Sequence, residues 1–162
     1  MRDPESLPFW QILSLEEMSR EQWESLCDGC GLCCLHKLED SDDGAVYYSA
    51  AACRLLDIES CRCRDYAHRT RRVPDCIDLH GRDIGACYWL PPSCAYRRLA
   101  AGLDLPPWHP LVSGDPESVH RAGVSARSLA IPEDLAGDPA GCLLDWPPLR
   151  RPGRGSGGEP ER

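Results

Sequence analysis

Cys27-Asp28-Gly29-Cys30-Gly31-Leu32-Cys33-Cys34 places four thiols in eight residues, with a glycine in each of the first two gaps. A thiolate is a soft, charged ligand, and a two-residue gap lets the chain fold back so that both sulfurs face one metal ion. Glycine permits the positive φ such a turn needs, and Gly29 and Gly31 occupy those gaps. Cys33 and Cys34 are adjacent, so their side chains leave the backbone in different directions and one tetrahedral ion does not take all four sulfurs. Further ligands must come from later in the chain, where Cys53, Cys61, Cys63, Cys76, Cys87 and Cys94 are the candidates.

The rest of the composition makes this knot more important. The chain has 162 residues, eleven of them cysteine and only one phenylalanine, Phe9. That is enough for one domain with a modest core that needs help from cross-links. No basic patch followed by a continuous apolar run stands at the start, and no stretch reaches the ~18–20 apolar residues of a membrane span. The chain therefore reads as cytoplasmic, without a membrane partner, in a compartment where dense cysteines hold metal more often than disulfides. A net charge of -8 argues against general affinity for nucleic acid. The charge is uneven: residues 1–60 carry thirteen acidic and four basic side chains, residues 61–100 four acidic and eight basic. The basic block of Arg62, Arg64, Arg69, Arg71 and Arg72 reads as a solvated or internally paired face. Only Lys37 among the 18 basic residues is a lysine. No function is read from that bias.

Along the chain, residues 1–13 hold Pro4, Pro8, Phe9 and Trp10 and read as an extended arm anchored by its aromatics. Ser14 with Glu17, and Ser19 with Gln22, have capping-box spacing, predicting a helix over 18–26 that buries Trp23 and delivers Cys27 into the knot. Glu39 to Gly44 is an acidic turn without the ligand alternation of an EF-hand loop, so it reads as the turn of a small hairpin between Leu38 and the strand Ala45–Tyr48. His36 is the histidine best placed to be a ligand, but cysteine is plentiful beside it. Cys61 and Cys63 share a face only if their segment is extended. A second helix is expected over 64–72, stopped by Pro74 just before Cys76, and a third over 93–101, with Cys94 in its first turn and Gly102 at its end. His109 and His120 read as packing or surface residues, and the chain from Pro147 as a disordered tail. The expected fold is mainly α with irregular loops and a small β-hairpin, a compact metal-centred domain over 14–146.

Cys27 to Cys34, then Cys53, Cys61-Arg62-Cys63-Arg64-Asp65-Tyr66 with Arg69, Pro74-Asp75-Cys76, Ser93-Cys94-Ala95-Tyr96-Arg97 and Trp108-His109-Pro110-Leu111 together resemble the bacterial cysteine-cluster family called CxxCxxCC, in its YcgN-like branch. The resemblance spans roughly residues 8–146. It implies a zinc- or iron-chelating domain whose metal ligands lie among Cys27, Cys30, Cys33, Cys34, Cys53, Cys61, Cys63, Cys76 and Cys94, with Cys87 and Cys142 outside the pattern. Nine is one more than two four-sulfur sites require. Three functions compete: a metal-binding protein holding zinc or an iron-sulfur cluster, a metal-dependent enzyme or redox protein, and a thiol redox sensor using Cys33 and Cys34 or the Cys27/Cys30 pair. The chain has no phosphate-binding glycine loop, His-Glu-x-x-His or nucleophile elbow to favour a particular reaction. One dense knot followed by scattered single sulfurs leans toward the way a chain gathers an iron-sulfur cluster, while paired knuckles would favour zinc.

Overall fold

The computed structural model describes residues 6–151. The first five residues of the expected arm, and the tail from 152 onward, lie outside them. The mainly α expectation is overturned: helix makes up 34% and strand 14% of the structure. Among the described residues the seven α-helices run over Phe9–Ile12 (α1), Arg20–Ser25 (α2), Arg69–Arg72 (α3), Ala95–Ala100 (α4), Pro110–Ser113 (α5), Ser118–Arg121 (α6) and Glu133–Ala136 (α7). None exceeds six residues. The cause is in the composition, since 15 prolines and 14 glycines interrupt a chain of 162 residues, and each either removes a helical amide or favours a turn.

The strands form two small sheets. Leu35–Glu39 (β1) pairs antiparallel with Val46–Ala52 (β2), with Leu38 opposite Tyr47 and Lys37 opposite Tyr48. The acidic turn closes this hairpin, with Gly44 at φ 71° and Asp40 accepting from the amide of Asp42. Ile131–Pro132 (β5) then adds in parallel to the far end of β2. Leu56–Asp57 (β3) and Arg62–Cys63 (β4) make the second sheet, a two-stranded one.

The capping signals act where expected at Ser19. Its hydroxyl accepts from the Gln22 amide at 3.1 Å and the Gln22 side chain accepts from the Ser19 amide at 2.9 Å, so α2 begins at Arg20. Glu17 likewise accepts from the Ser14 amide, yet only a turn follows. Val73 is extended ahead of Pro74 and ends α3. Near the other end of the chain, Leu149 exchanges backbone hydrogen bonds with Val46, and Arg150 pairs with Asp43.

Two cores result. Met18, Trp23, Leu26, Ile84, Leu90, Tyr96 and their neighbours form a helical one. Leu32, Leu35, Tyr48, Leu56, Val119 and Ala126 form one beneath the sheets. Leu26 belongs to the first and Cys30 to the second, so the knot is the seam between them.

Gly31 is held there tightly. Its φ is 70°, and a Cβ would stand 3.1 Å from Cys61 Cβ and 3.4 Å from both Ala126 Cβ and Leu56 Cδ1. Gly31→Ala is expected to lower stability by about 1–3 kcal/mol through left-handed strain and overpacking. Gly81→Ala, at φ 79° with nothing within 4 Å, should lose only the strain. Denaturant unfolding of the two variants checks the difference.

Candidate metal centre

The knot opens where α2 ends. Asp28, 5% exposed, accepts from the Cys30 amide at 3.0 Å, and Gly29 and Gly31 adopt φ 75° and 70°. These two reversals turn the Cys27 and Cys30 segment back on itself, and the single 3-10 turn Leu32–Cys34 carries the next two thiols into β1. The Cys53 amide donates to the Cys34 carbonyl at 2.8 Å, bringing the end of β2 alongside. Cys63 comes from β4, Cys76 follows the proline stop after α3, and Cys94 caps the N-terminus of α4.

Mutual charge effects link the knot to several later sulfurs. Cys33 is the hub, acting on Cys27, Cys30, Cys34, Cys76 and Cys94, while Cys53 acts on Cys34 and Cys76, and Cys63 on Cys76. Eight of the nine candidates are thus linked, directly or through one another. Burial pushes the Cys27 thiol up to about 11, with the Cys33 charge adding to it. Burial, then Asp28, raises Cys30 well above the ordinary thiol range, and burial takes Cys94 up to about 12 against the pull of the α4 amides. The adjacent pair splits. The interaction of the two neighbouring thiols brings Cys33 down to about 6, with help from Lys37, and raises Cys34. Cys27 and Cys33 are nonetheless exposed, whereas Cys30 is buried.

Cys61, the ninth candidate, faces elsewhere. Its φ of 57° is the one positive non-glycine value among the described residues, so the segment is not extended and the shared face with Cys63 does not arise. The Cys61 amide donates to the Asp57 carbonyl, its thiol to the Ile58 carbonyl at 3.4 Å, and the groups acting on that thiol include Arg127 and Ser125. Cys87 lies in the helical core with its thiol toward the Asp83 carbonyl, and Cys142 contacts the Pro139 carbonyl. His36 pairs with Glu133 at 3.1 Å.

Cations surround the gathered thiols. Arg62 lays its guanidinium over Gly29, 3.1 Å from where a Cβ would stand, and acts on Cys27. Arg69 acts on Cys76 and Lys37 on Cys33 and Cys34. Part of the basic block seen in the sequence is therefore turned toward the cysteines. His109, fully buried, accepts from the Leu111 amide at Nδ1, so Nε2 carries the proton and donates to the Leu26 carbonyl at 2.7 Å, fixing the backbone just before Cys27. Sequence reasoning missed Asp28, Lys37 and this role of His109. The one available signal was that Lys37 is the sole lysine.

Among the described residues no three Cys, His, Asp or Glu side chains stand in a ready-made ligand set. The donor chemistry itself fits a thiophilic metal: the pool is sulfur, and Lys37, Arg62 and Arg69 act on its thiols with positive charge that favours the thiolate. Trp108 Nε1 is a buried donor with no partner, in an indole packed against the core that contains Cys30 and Cys61.

Comparison with known proteins gives matches of family and of sequence. Residues 26–95 match the family CxxCxxCC, described as a "putative zinc- or iron-chelating domain". A UPF0260 protein of Gluconacetobacter diazotrophicus is 58% identical over 140 residues, covering 86% of this chain and 88% of its own length. A UPF0260 protein of Azotobacter vinelandii is 59% identical over 131 residues, 81% of this chain and 88% of its own. One from Granulibacter bethesdensis is 56% identical over 143 residues, covering 88% and 86%. No solved structure matches. Among the described residues no helix is long and apolar enough to cross a membrane.

Proposed function

The chain belongs to the UPF0260 family and carries its CxxCxxCC segment, and on that premise we propose that it is a cytoplasmic metal-holding protein whose thiolates bind zinc or an iron-sulfur cluster. The ligands are drawn from Cys27, Cys30, Cys33, Cys34, Cys53, Cys63, Cys76 and Cys94. Cys61 is assigned to packing behind Gly31. What supports this reading is that the knot around Cys33 feels Cys76 and Cys94 from two later stretches, while Cys53 is tied to Cys34 and Cys76, and Cys63 to Cys76. A core of two halves joined at the knot gives such links a structural purpose.

Zinc bound there would supply folding free energy, and an iron-sulfur cluster would supply an electron-transfer centre as well. The chain's own groups do the rest. Asp28 and the two glycines hold the turn, His109 holds the backbone before it, and the sulfurs give up their protons as they bind. Single sulfurs from Cys53, Cys63, Cys76 and Cys94 joining one dense knot favour the cluster over zinc. The exposed Cys33 and its neighbour Cys34 also fit a thiol switch, a use the metal would block because it takes the same sulfurs.

Alkylation mapping separates the two. Reduced, metal-free protein is titrated with zinc, or with ferrous iron and sulfide, and the modified cysteines are identified by mass spectrometry. Cys27, Cys30 and Cys33 should react in the metal-free chain and be protected after loading, Cys27 and Cys33 even though the folded chain leaves them exposed. Equal reactivity before and after would contradict the proposal and leave the switch.

A further inference from the structure

Lys37 is the only lysine in the chain, and it is placed against the thiols. Its Nζ donates to the carbonyl of Cys33 at 2.8 Å and to that of Leu35 at 2.9 Å. It also stands 4.7 Å from the ring centroid of Tyr48, its register partner across the hairpin. Two carbonyls and an aromatic face are all electron-rich and favour the ammonium form from three sides, against burial, which pulls the Lys37 pKa below its ordinary value. The sulfurs within its field are those of Cys33, Cys34, Cys30 and Cys53. Asp28, which acts on Cys30 and Cys33, adds a further negative charge beside those thiols. Arg62 and Arg69 serve Cys27 and Cys76 at the edges.

We propose that Lys37 is the internal counter-charge of the metal site, a positioning residue that also clamps the Cys33 carbonyl in the turn presenting Cys33 and Cys34. This rests on the metal-holding reading above. Four thiolates around one divalent ion leave two negative charges in excess, and in a partly dry site that excess repels strongly unless a fixed cation stands near. A lysine suits the place because its ammonium is a compact point charge with three donors, whereas the flat guanidinium of the other basic residues spreads its charge. The ammonium makes no hydrogen bond to a sulfur among the described residues, so it acts through its field and through the backbone it holds. It is not a ligand.

The test uses the full chain and zinc alone, with affinity read by competition against a colour-forming chelator. Lys37→Met should bind the same number of zinc ions per chain at saturation, because no ligand has been lost, but about tenfold more weakly, the effect of one unit of differential charge interaction. Lys37→Arg should stay within about threefold of the wild type, since it keeps the charge. Lys37→Met with wild-type affinity would overturn the inference, as would Lys37→Arg falling as far as Lys37→Met, which would leave the positive charge without a role. Should Lys37→Met fail to fold even with zinc, Lys37→Arg decides alone: wild-type loading supports the counter-charge and lost loading overturns it. A wild-type chain that takes up no zinc sinks the metal-holding reading and this inference together. Wild-type uptake with an unchanged variant sinks the inference only.

Discussion

Stripping the metal with a chelator under reducing conditions is expected to collapse the far-ultraviolet dichroism and abolish the cooperative thermal transition. The reason is the size of what remains. The helices are four to six residues long, far below the ~12–15 at which an isolated helix becomes even marginal in water. Their order therefore depends on tertiary packing. That packing is divided between two cores that meet at the knot, each too small to count as a full domain core. Structural zinc contributes ~10–16 kcal/mol in small zinc-finger peptides, as much as the ~5–15 kcal/mol net stability of an ordinary domain. Losing it should tip the balance to the unfolded chain. Adding zinc back should restore the signal, and an identical thermal transition with and without metal would contradict the account.

Serine substitutions should divide the cysteines into two groups. Cys30→Ser and Cys33→Ser are expected to weaken metal binding by at least ~100-fold, because a hydroxyl is a harder and far less acidic ligand and even the groups that merely orient a ligand are worth ~10–100-fold. Cys87→Ser and Cys142→Ser should keep full metal content. Cys61→Ser is the informative case. Its side chain is buried, 4% exposed, and bonded to the Ile58 carbonyl, so a hydroxyl there should lower stability by ~1–3 kcal/mol while leaving metal per folded chain unchanged. Metal content and denaturant unfolding measured on the same samples separate the two effects. If Cys61→Ser loses as much metal as Cys33→Ser, Cys61 returns to the ligand set.

How much of this was legible depended on whether the signal was local. The Ser19/Gln22 cap, the stop before Pro74, the hairpin around the acidic turn and the glycine reversals of the knot are each written within a few neighbouring residues, and each could be read from them. Helix content was misjudged because capping signals mark where a helix begins and say little about how soon a proline or glycine ends it. Ser14 with Glu17 has the same spacing as Ser19 with Gln22 and gives only a turn. The parallel pairing of Ile131–Pro132 with β2 joins residues some eighty positions apart, and no local pattern announces it. Cys61 is left-handed because the turn from Asp57 closes on its amide, a conformation that side-chain alternation assumes away. The surroundings of the other thiols were only half visible: spacing constrains Cys27 to Cys34, while the backbone bond of Cys53 to Cys34 and the charge links to Cys63, Cys76 and Cys94 arise from the tertiary fold. Lys37, Asp28 and His109 act through backbone atoms, which a search for ligand residue types passes over.

Metal content and the absorption spectrum of protein purified without oxygen test the central claim most directly. The account predicts a stoichiometric amount of zinc or iron per chain, with visible absorption and acid-labile sulfide if iron is held as a cluster, and its loss when Cys30 or Cys33 is replaced by serine. Protein that folds with a full cooperative transition while containing neither metal would contradict it.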